Sequence, residues 1–197
     1  WVQVSDLNGQ SVWLPPSIPA LGAMAYTDKT QGPWFSPAGL NRGGLSKSVV
    51  GLNVLSVAVK LNEKDRDDLQ IANVNPIAKF PKNGIAIWGQ KTMTPKITGL
   101  NRVNVRRLCI YVKERVSAVL TNFLFEPNLQ DTWDKAKGKV DPILNDIKAR
   151  LGVIDAKFIL DSTTTTPDLV DQNIMYAKII LKPAKSIEYI AVDLVIV

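Results

Sequence analysis

The sequence predicts an α/β or α+β fold, in which a mixed β-sheet is flanked by two long helices and followed by an extended C-terminal strand. Two long stretches repeat apolar residues at intervals of three and four, which is the period of an amphipathic helix. Shorter stretches rich in β-type residues precede and follow them. With 46% apolar and 21% charged residues in a chain of 197, the composition is ordinary for a globular protein that buries a core.

The chain opens with a predicted hairpin and a short helix. Residues 1–16 carry β-type residues around an Asn-Gly turn, so we interpret them as the end of a preceding region, separate from one core domain over residues 17–197. The chain starts without Met, and we therefore expect it to be a trimmed piece of a longer protein. Ser17 is a good N-cap residue, so we predict a helix from there through Tyr26.

A loop rich in glycine and proline then leads to a strand and a charged helix. Residues 31–44 contain four Gly and two Pro, which excludes a regular element, while Trp34 and Phe35 can attach the loop to the core. Residues 49–59 alternate weakly and predict a strand or an extended segment. Residues 62–72 begin with an Asn cap and carry acidic residues in the first turns, which the helix dipole favours.

The middle of the chain contains a strand pair and the first long helix. Residues 75–80 and 84–89 are predicted to pair across the turn between them. Residues 102–124 predict a helix most strongly, and Cys109 in its apolar stripe is interpreted as a buried small hydrophobe. The stripe consists of Val105, Leu108, Cys109, Val112, Val116, Val119, Leu120 and Phe123.

A second long helical segment covers residues 129–151. We predict that Pro142 kinks this helix or splits it in two, because proline lacks the backbone N–H, and that Gly152 follows its end. Its predicted apolar face consists of Trp133, Ala136, Val140, Ile143, Ile147 and Leu151.

The end of the chain is predicted to be β again. Residues 153–160, 174–182 and 187–197 are three strand candidates, separated by a Thr-rich loop and a short polar linker. The last candidate is nearly all apolar. A strand of this kind causes aggregation unless it pairs within its own sheet or with a neighbour.

The composition excludes several kinds of chemistry. The chain has no His, so it offers no imidazole base, no Ser-His-Asp triad and no His metal ligand, and its single Cys allows no internal disulfide or thiolate metal cage. Asp161 beside Ser162 lacks a base that could activate a hydroxyl. We therefore predict a chain that is not an enzyme, with no catalytic residue, no metal ligand and no cofactor. No apolar run reaches the length of a membrane span.

The net charge of +6 originates in the middle of the chain. Residues 69–113 hold eight basic side chains and no acidic one, whereas the two flanking parts are nearly balanced. Such a block often forms one positive face of a domain. Three interpretations are open: a solvated surface, an acidic protein partner, or a nucleic acid, although no recognisable nucleic-acid-binding motif accompanies the block.

Six segments of the sequence, in order, resemble the C-terminal or core portion of contractile-tail sheath proteins from long-tailed, myovirus-type bacteriophages. Each motif alone is weak, but six in the same order are specific, and they cover nearly the whole chain from residue 12 onward. The segments are 31–44 (QGPWFSPAGLNRGG), 75–92 (NPIAKFPKNGIAIWGQKT), 104–108 (NVRRL), 124–128 (LFEPN), 161–173 (DSTTTTPDLVDQN) and 182–197 (KPAKSIEYIAVDLVIV).

The resemblance implies a structural protein without catalysis. It implies subunits that form hexameric rings stacked in a helix around a tail tube protein, between a baseplate and a tail terminator, and that contract to drive the tube through the host envelope. It implies a place in the virion tail, assembly in the host cytoplasm, no membrane insertion and no direct contact with nucleic acid. Family members are longer and carry an N-terminal arm, so we expect this chain alone to be mainly monomeric.

The resemblance also implies two sets of interacting residues. In the family, terminal arms add strands to a neighbour's sheet, and residues 187–197 fit that use. The inter-subunit strand would then contain Ile187, Tyr189, Ile190, Val192, Leu194 and Ile196. The family docks on its tube largely by charge, and the basic candidates for contacting the tube or a neighbour are Arg106, Arg107, Lys135, Lys139, Lys148 and Arg150. Arg106 and Arg107 could equally form ion pairs inside the subunit.

Two rival functions remain open from the sequence. A nucleic-acid-binding module using residues 69–113 would bind with an affinity that falls steeply with salt. The sheath of a phage-like bacteriocin or injection machine belongs to the same class as a virion sheath, and sequence barely separates the two.

Overall fold

A computed structural model describes residues 1–6, 8–46, 53–94, 96 and 98–188 of the chain. Its helices and small sheets confirm the α+β class. The strands in these ranges are β1 (Val2–Ser5), β2 (Ser11–Leu14), β3 (Val54–Val57), β4 (Ile77–Phe80), β5 (Gly84–Ile87), β6 (Val153–Ile159) and β7 (Lys178–Pro183). The helices are α1 (Ser17–Thr30), α2 (Gly39–Arg42), α3 (Glu63–Ile71), α4 (Val103–Leu120), α5 (Gln130–Ala149) and α6 (Pro167–Asp171).

The strands do not form one mixed sheet in the described residues. They form three antiparallel sheets, in the orders β2-β1-β3, β4-β5 and β6-β7. The first two are bridged by Leu45, whose N–H donates to the carbonyl of Ile85 at 2.7 Å and whose carbonyl accepts from the N–H of Val54 at 3.0 Å. This bridge joins the first two sheets around one apolar core, formed by Val2, Val4, Ala23, Leu45, Val54, Ile85 and Ile87.

The predicted hairpin at the start of the chain is confirmed as β1 and β2. Because β1 also pairs with β3, the hairpin shares a core with the residues that follow it. The predicted cap of α1 is wrong: Pro16 is the N-cap residue, Ser17 is already helical, and the helix continues to Thr30. Thr27 explains the extra turn, since it is fully buried and its hydroxyl donates to the carbonyl of Ala23 at 2.8 Å.

The middle elements follow the sequence closely. Asn62 caps α3 in a reciprocal capping box with Asp65, and β4 and β5 pair across a tight turn as predicted. Trp34 is buried and Phe35 packs against the same core, as expected. We predicted no regular element in residues 31–44, and this is wrong for one helical turn. Gly39 adopts a positive φ of 85° and starts α2 there.

The second core lies between the two long helices and the sheet of β6 and β7. Both long helices are confirmed. Helix α5 is not split, because it continues through Pro142. Since proline has no N–H, the helix loses one backbone hydrogen bond there, the one that would end on the carbonyl of Gly138. Leu144 is buried, whereas Leu151 is 70% exposed, so the predicted apolar face of α5 is wrong at its end. This core contains Trp34, Leu108, Val112, Val116, Trp133, Ala136, Val140, Leu144, Ile147, Val153, Phe158 and Leu160.

Leu151 is exposed because α5 ends in a left-handed turn. Its φ is 62°, and the N–H of Gly152 donates back to the carbonyl of Ile147 at 2.8 Å. The strand predicted over residues 174–182 begins only at Lys178, and a short helix, α6, occupies part of the Thr-rich loop. The candidate strand over residues 187–197 lies outside the described residues from position 189 onward.

Candidate functional site

The sheet of β6 and β7 has only two strands in the described residues, so each strand has an edge without a ladder partner there. Phe158 of β6 lies opposite Ile179 of β7 in the register. β6 contacts α5, whereas alternate residues of β7 line a groove shared with α4. Backbone N–H and C=O groups along an unpaired edge are able to pair with an additional strand.

The groove beside β7 is apolar and has a volume of about 280 Å³. Its lining consists of Cys109, Val112, Lys113, Val116, Ser117, Leu120, Phe158, Ala177, Ile179 and Leu181. Cys109 lines this groove and is half-buried rather than buried as predicted. Burial raises the pKa of its thiol, and nearby Arg106 opposes that shift.

The root of the terminal segment, residues 184–188, lies beside the start of α4. Glu188 accepts two hydrogen bonds from Arg102, from Nε to Oε1 and from Nη2 to Oε2, both at 2.6 Å. Gln90 Nε2 also donates to Glu188 Oε1, at 3.2 Å. Sequence reasoning missed all three residues. The available signal was Glu188 itself, a charged residue near the start of a mostly apolar run.

Ile187 is the one residue of the predicted inter-subunit strand that the structure describes. Its side chain is 83% exposed, so the core of its own chain does not bury it. The other candidates lie outside the described residues, and they are Tyr189, Ile190, Val192, Leu194 and Ile196.

The six basic candidates do not form one patch. Arg107 pairs with Asp28 near the end of α1, while Arg106, the preceding residue of α4, is exposed. Arg107 and Arg150 share the wall of a cavity of about 460 Å³ with Trp34 and Tyr111. The structure therefore brings two of the six candidates together.

The remaining candidates have local partners. Lys135 pairs with Asp131 at 2.6 Å, one helical turn before it. Lys148 pairs with Asp155 of β6 at 2.9 Å, which lowers the pKa of that carboxyl. Lys139 lies 5.2 Å from the centre of the Phe123 ring. Exposed pairs of this type are weak, about 0–1 kcal/mol each, so these lysines can exchange partners.

The described residues offer little for catalysis. No group of three or more His, Cys, Asp or Glu side chains in them is close enough to hold a metal ion. Asp161 accepts hydrogen bonds from the hydroxyl and the N–H of Thr163, which lower its pKa and shape a turn. None of the helices described in the structure is long and apolar enough to cross a membrane.

Comparison with known proteins identifies a single family. A family model described as "Phage tail sheath C-terminal domain" matches residues 98–196. The chain is 36% identical over 193 residues to the tail sheath protein of Vibrio phage KVP40 and 31% identical over 193 residues to that of Enterobacteria phage T4. Each alignment covers 98% of this chain and 28% of the relative, so the chain spans little more than a quarter of those proteins.

The fold also matches solved structures across 98% of the chain. The sheath complex of an extracellular contractile injection system, PVC, in the contracted state has a TM-score of 0.83 at 22% identity, with 54% of that chain covered. The helical sheath of the anti-feeding prophage, also contracted, has a TM-score of 0.81 at 23% identity, with 53% covered. The sequence matches and the shared fold agree. The chain belongs to the phage tail sheath C-terminal domain family.

Proposed function

We propose that the chain is part of a structural subunit of a contractile phage tail sheath, which polymerises around a tail tube and shortens to drive the tube through the host envelope. Its partners would be other sheath subunits in stacked hexameric rings, the tail tube protein, the baseplate and the tail terminator. Its place would be the virion tail, after assembly in the host cytoplasm, and its work would require neither catalysis nor a cofactor. The observation that carries the proposal is the tail sheath similarity over 98% of the chain.

The terminal segment would link one subunit to the next by strand addition. In an extended strand, alternate side chains share one face, and the apolar set Ile190, Val192, Leu194 and Ile196 would share one. The groove beside β7 offers an apolar lining together with a strand edge that no other described residue pairs with. A strand from a second copy, added beside β7, would place those four side chains over the groove while its backbone pairs with β7.

Contacts with the tube would be electrostatic and weak. The exposed lysines of α5, Lys135 and Lys139, support this role, because their interactions within the chain are solvent-exposed and easily replaced. Arg107 and Arg150 suit an internal role better, since both support the packing around Trp34. A sheath that must slide past its tube benefits from many weak contacts rather than a few strong ones.

A sheath of an injection machine is the second candidate, supported by the folds of the PVC and anti-feeding prophage sheaths. The nucleic-acid module has less support, because two arginines of the basic block, Arg102 and Arg107, are paired with acidic residues from outside it.

Deletion of residues 187–197 from the full-length protein tests the proposal. The expected result is a folded protein that no longer assembles into sheaths. A matched control replaces Asp193, one of the two acids in this segment, by Asn, and should preserve assembly because strand pairing uses the backbone. Sheaths of normal length from the deletion variant would contradict the proposal.

A further inference from the structure

The root of the terminal segment is held by polar side chains rather than by apolar packing. After β7, the N–H of Ala184 still donates to the carbonyl of Gly152 at 3.3 Å. Beyond that bond, residues 185–188 have no ladder partner in the described structure, and the side chains of Lys185 and Ile187 are exposed. Contacts of Ser186 and Glu188 therefore determine where the segment leaves the domain.

Arg102 makes the strongest of these contacts. Its guanidinium meets both carboxylate oxygens of Glu188 at 2.6 Å, and its third nitrogen donates to Asn101 Oδ1 at 2.9 Å. The two paired side chains are only 26% and 28% exposed. A bidentate, partly buried pair between arginine and carboxylate is stronger and more directional than an ordinary surface ion pair.

The groups around Arg102 are themselves fixed. Gln90 is buried, donates to Glu188, and its backbone carbonyl accepts from the N–H of Val103 at 2.7 Å. Asn104, buried in the first turn of α4, donates to Ser186 Oγ at 3.3 Å and to the carbonyl of Trp34 at 3.2 Å. Three side chains from two backbone-paired segments thus converge on residues 186–188.

We propose that Arg102, Gln90 and Asn104 form an anchor that fixes the root of the terminal segment and transfers a pull on that segment into α4 and the second core. The proposal rests on the proposed function for its mechanical meaning, because a strand shared with a neighbour is pulled when the subunits rearrange. Glu188, held by Arg102 and Gln90, and Ser186, held by Asn104, are the residues that would transmit the force. The anchor gives a role to the first of the two carboxylates in the mostly apolar terminal segment.

The rate at which a lysine-specific protease releases the terminal segment measures the strength of this anchor, and the chain alone suffices for the experiment. Lys182 precedes a proline, so the last susceptible bond joins Lys185 and Ser186, and cutting there releases residues 186–197. Arg102→Gln and Glu188→Gln should each accelerate this release by about ten- to a hundredfold, as expected for the loss of charged hydrogen bonds. Arg102→Lys should give an intermediate rate, because lysine is a point charge without the fork.

The charge-swapped double variant, Arg102→Glu with Glu188→Arg, should return the rate toward that of the unmodified chain. Asp28→Asn is the matched control, since it breaks another arginine–carboxylate pair, one with no hydrogen bond to residues 184–188 in the described structure, and should leave the rate unchanged. The free energy of global unfolding should fall by no more than the same factor, about 1.4–2.7 kcal/mol, in the Glu188→Gln variant, because that residue belongs to neither core.

Any of three results would overturn the anchor. The first is an unchanged release rate in Arg102→Gln, and the second is an equal acceleration in Asp28→Asn. The third is a double variant that releases the segment as fast as the single variants do. These outcomes do not depend on assembly. A terminal segment that is anchored but dispensable for sheath formation would instead contradict the proposed function and leave the anchor intact.

Discussion

A Cβ atom added to Gly152 would lie 2.9 Å from the indole ring of Trp34 and 2.7 Å from the side chain of Ile147. The end of α5 and the loop that carries Trp34 therefore meet at a position where only glycine fits. The contact is reinforced by Trp34 Nε1, which donates to the carbonyl of Arg150 at 3.0 Å, and by the Arg150 guanidinium 4.9 Å from the centre of the indole. This junction joins the glycine-rich loop to the second core.

Replacing Gly152 by Ala should destabilise the fold. The methyl group would overpack a buried junction, which typically costs about 1–3 kcal/mol in the free energy of unfolding. Urea unfolding followed by tryptophan fluorescence measures the change. Gly138→Ala is the matched control: the site lies on the exposed side of α5 with nothing within 4 Å, so it should gain about 0.5–1 kcal/mol from helix propensity. Equal effects of both variants would contradict the packing account.

Cys109, the chain's single cysteine, should report on the groove beside β7. Because burial raises the pKa of its thiol, maleimide labelling at pH 7 should be slower in the folded chain than in the chain unfolded by urea. Assembly of the full-length protein into sheaths should slow labelling further, since a strand beside β7 would cover the groove. A labelling rate that assembly leaves unchanged would contradict the use of this edge.

Charge reversal at Lys135 and Lys139 should weaken assembly on purified tail tubes more than it weakens assembly of the sheath protein without tubes. Both side chains are exposed on α5 and neither belongs to a core cluster, so the subunit should stay folded. Lys64→Glu on α3 provides the control for a general change in net charge. Co-sedimentation with tubes and electron microscopy give the two readouts. Equal losses in both would count against a tube-facing role.

The carboxyl groups of Asp155 and Asp161 should titrate below the ordinary aspartate range. Both have lowered pKa values, Asp155 because Lys148 donates to it and Asp161 because Thr163 does. A lowered folded-state pKa contributes stability that is present above the unfolded-state pKa and is lost as pH falls through the folded one. NMR titration of the side-chain carbonyl carbons measures both midpoints.

The variant Lys148→Met tests whether each carboxyl pKa is lowered by its own hydrogen-bond donor, Lys148 for Asp155 and Thr163 for Asp161. It should raise the midpoint of Asp155 toward its ordinary value and leave that of Asp161 nearly unchanged, because Lys148 contributes only to the first. A parallel shift of both carboxyl groups would indicate a long-range charge effect in place of the local hydrogen bonds.

Local elements were predictable because their causes are local. The three- and four-residue spacing in α4, the Asn62 cap of α3 and the turn between β4 and β5 all lie within short windows of sequence. The errors have tertiary causes. Thr27 extends α1 because it is buried, and Leu151 is exposed because α5 ends in a left-handed turn that packs Gly152 under Trp34.

The site was less predictable than the fold, because its contacts join distant parts of the chain. Arg102 and Glu188 are 86 positions apart, and Arg107 and Asp28 are 79 apart. The acid-free block at residues 69–113 suggested one positive face, yet two of its arginines are neutralised by carboxylates from the two ends of the chain. Net charge along the sequence does not reveal such pairs.

A cryo-electron microscopy reconstruction of the sheath formed by the full-length protein tests the central claim most directly. The account predicts helical tubes in which the segment 187–197 of one subunit lies beside β7 of another and covers Cys109. Tubes in which the edge of β7 and the groove beside it stay uncovered, or a full-length protein that forms no helical polymer, would contradict it.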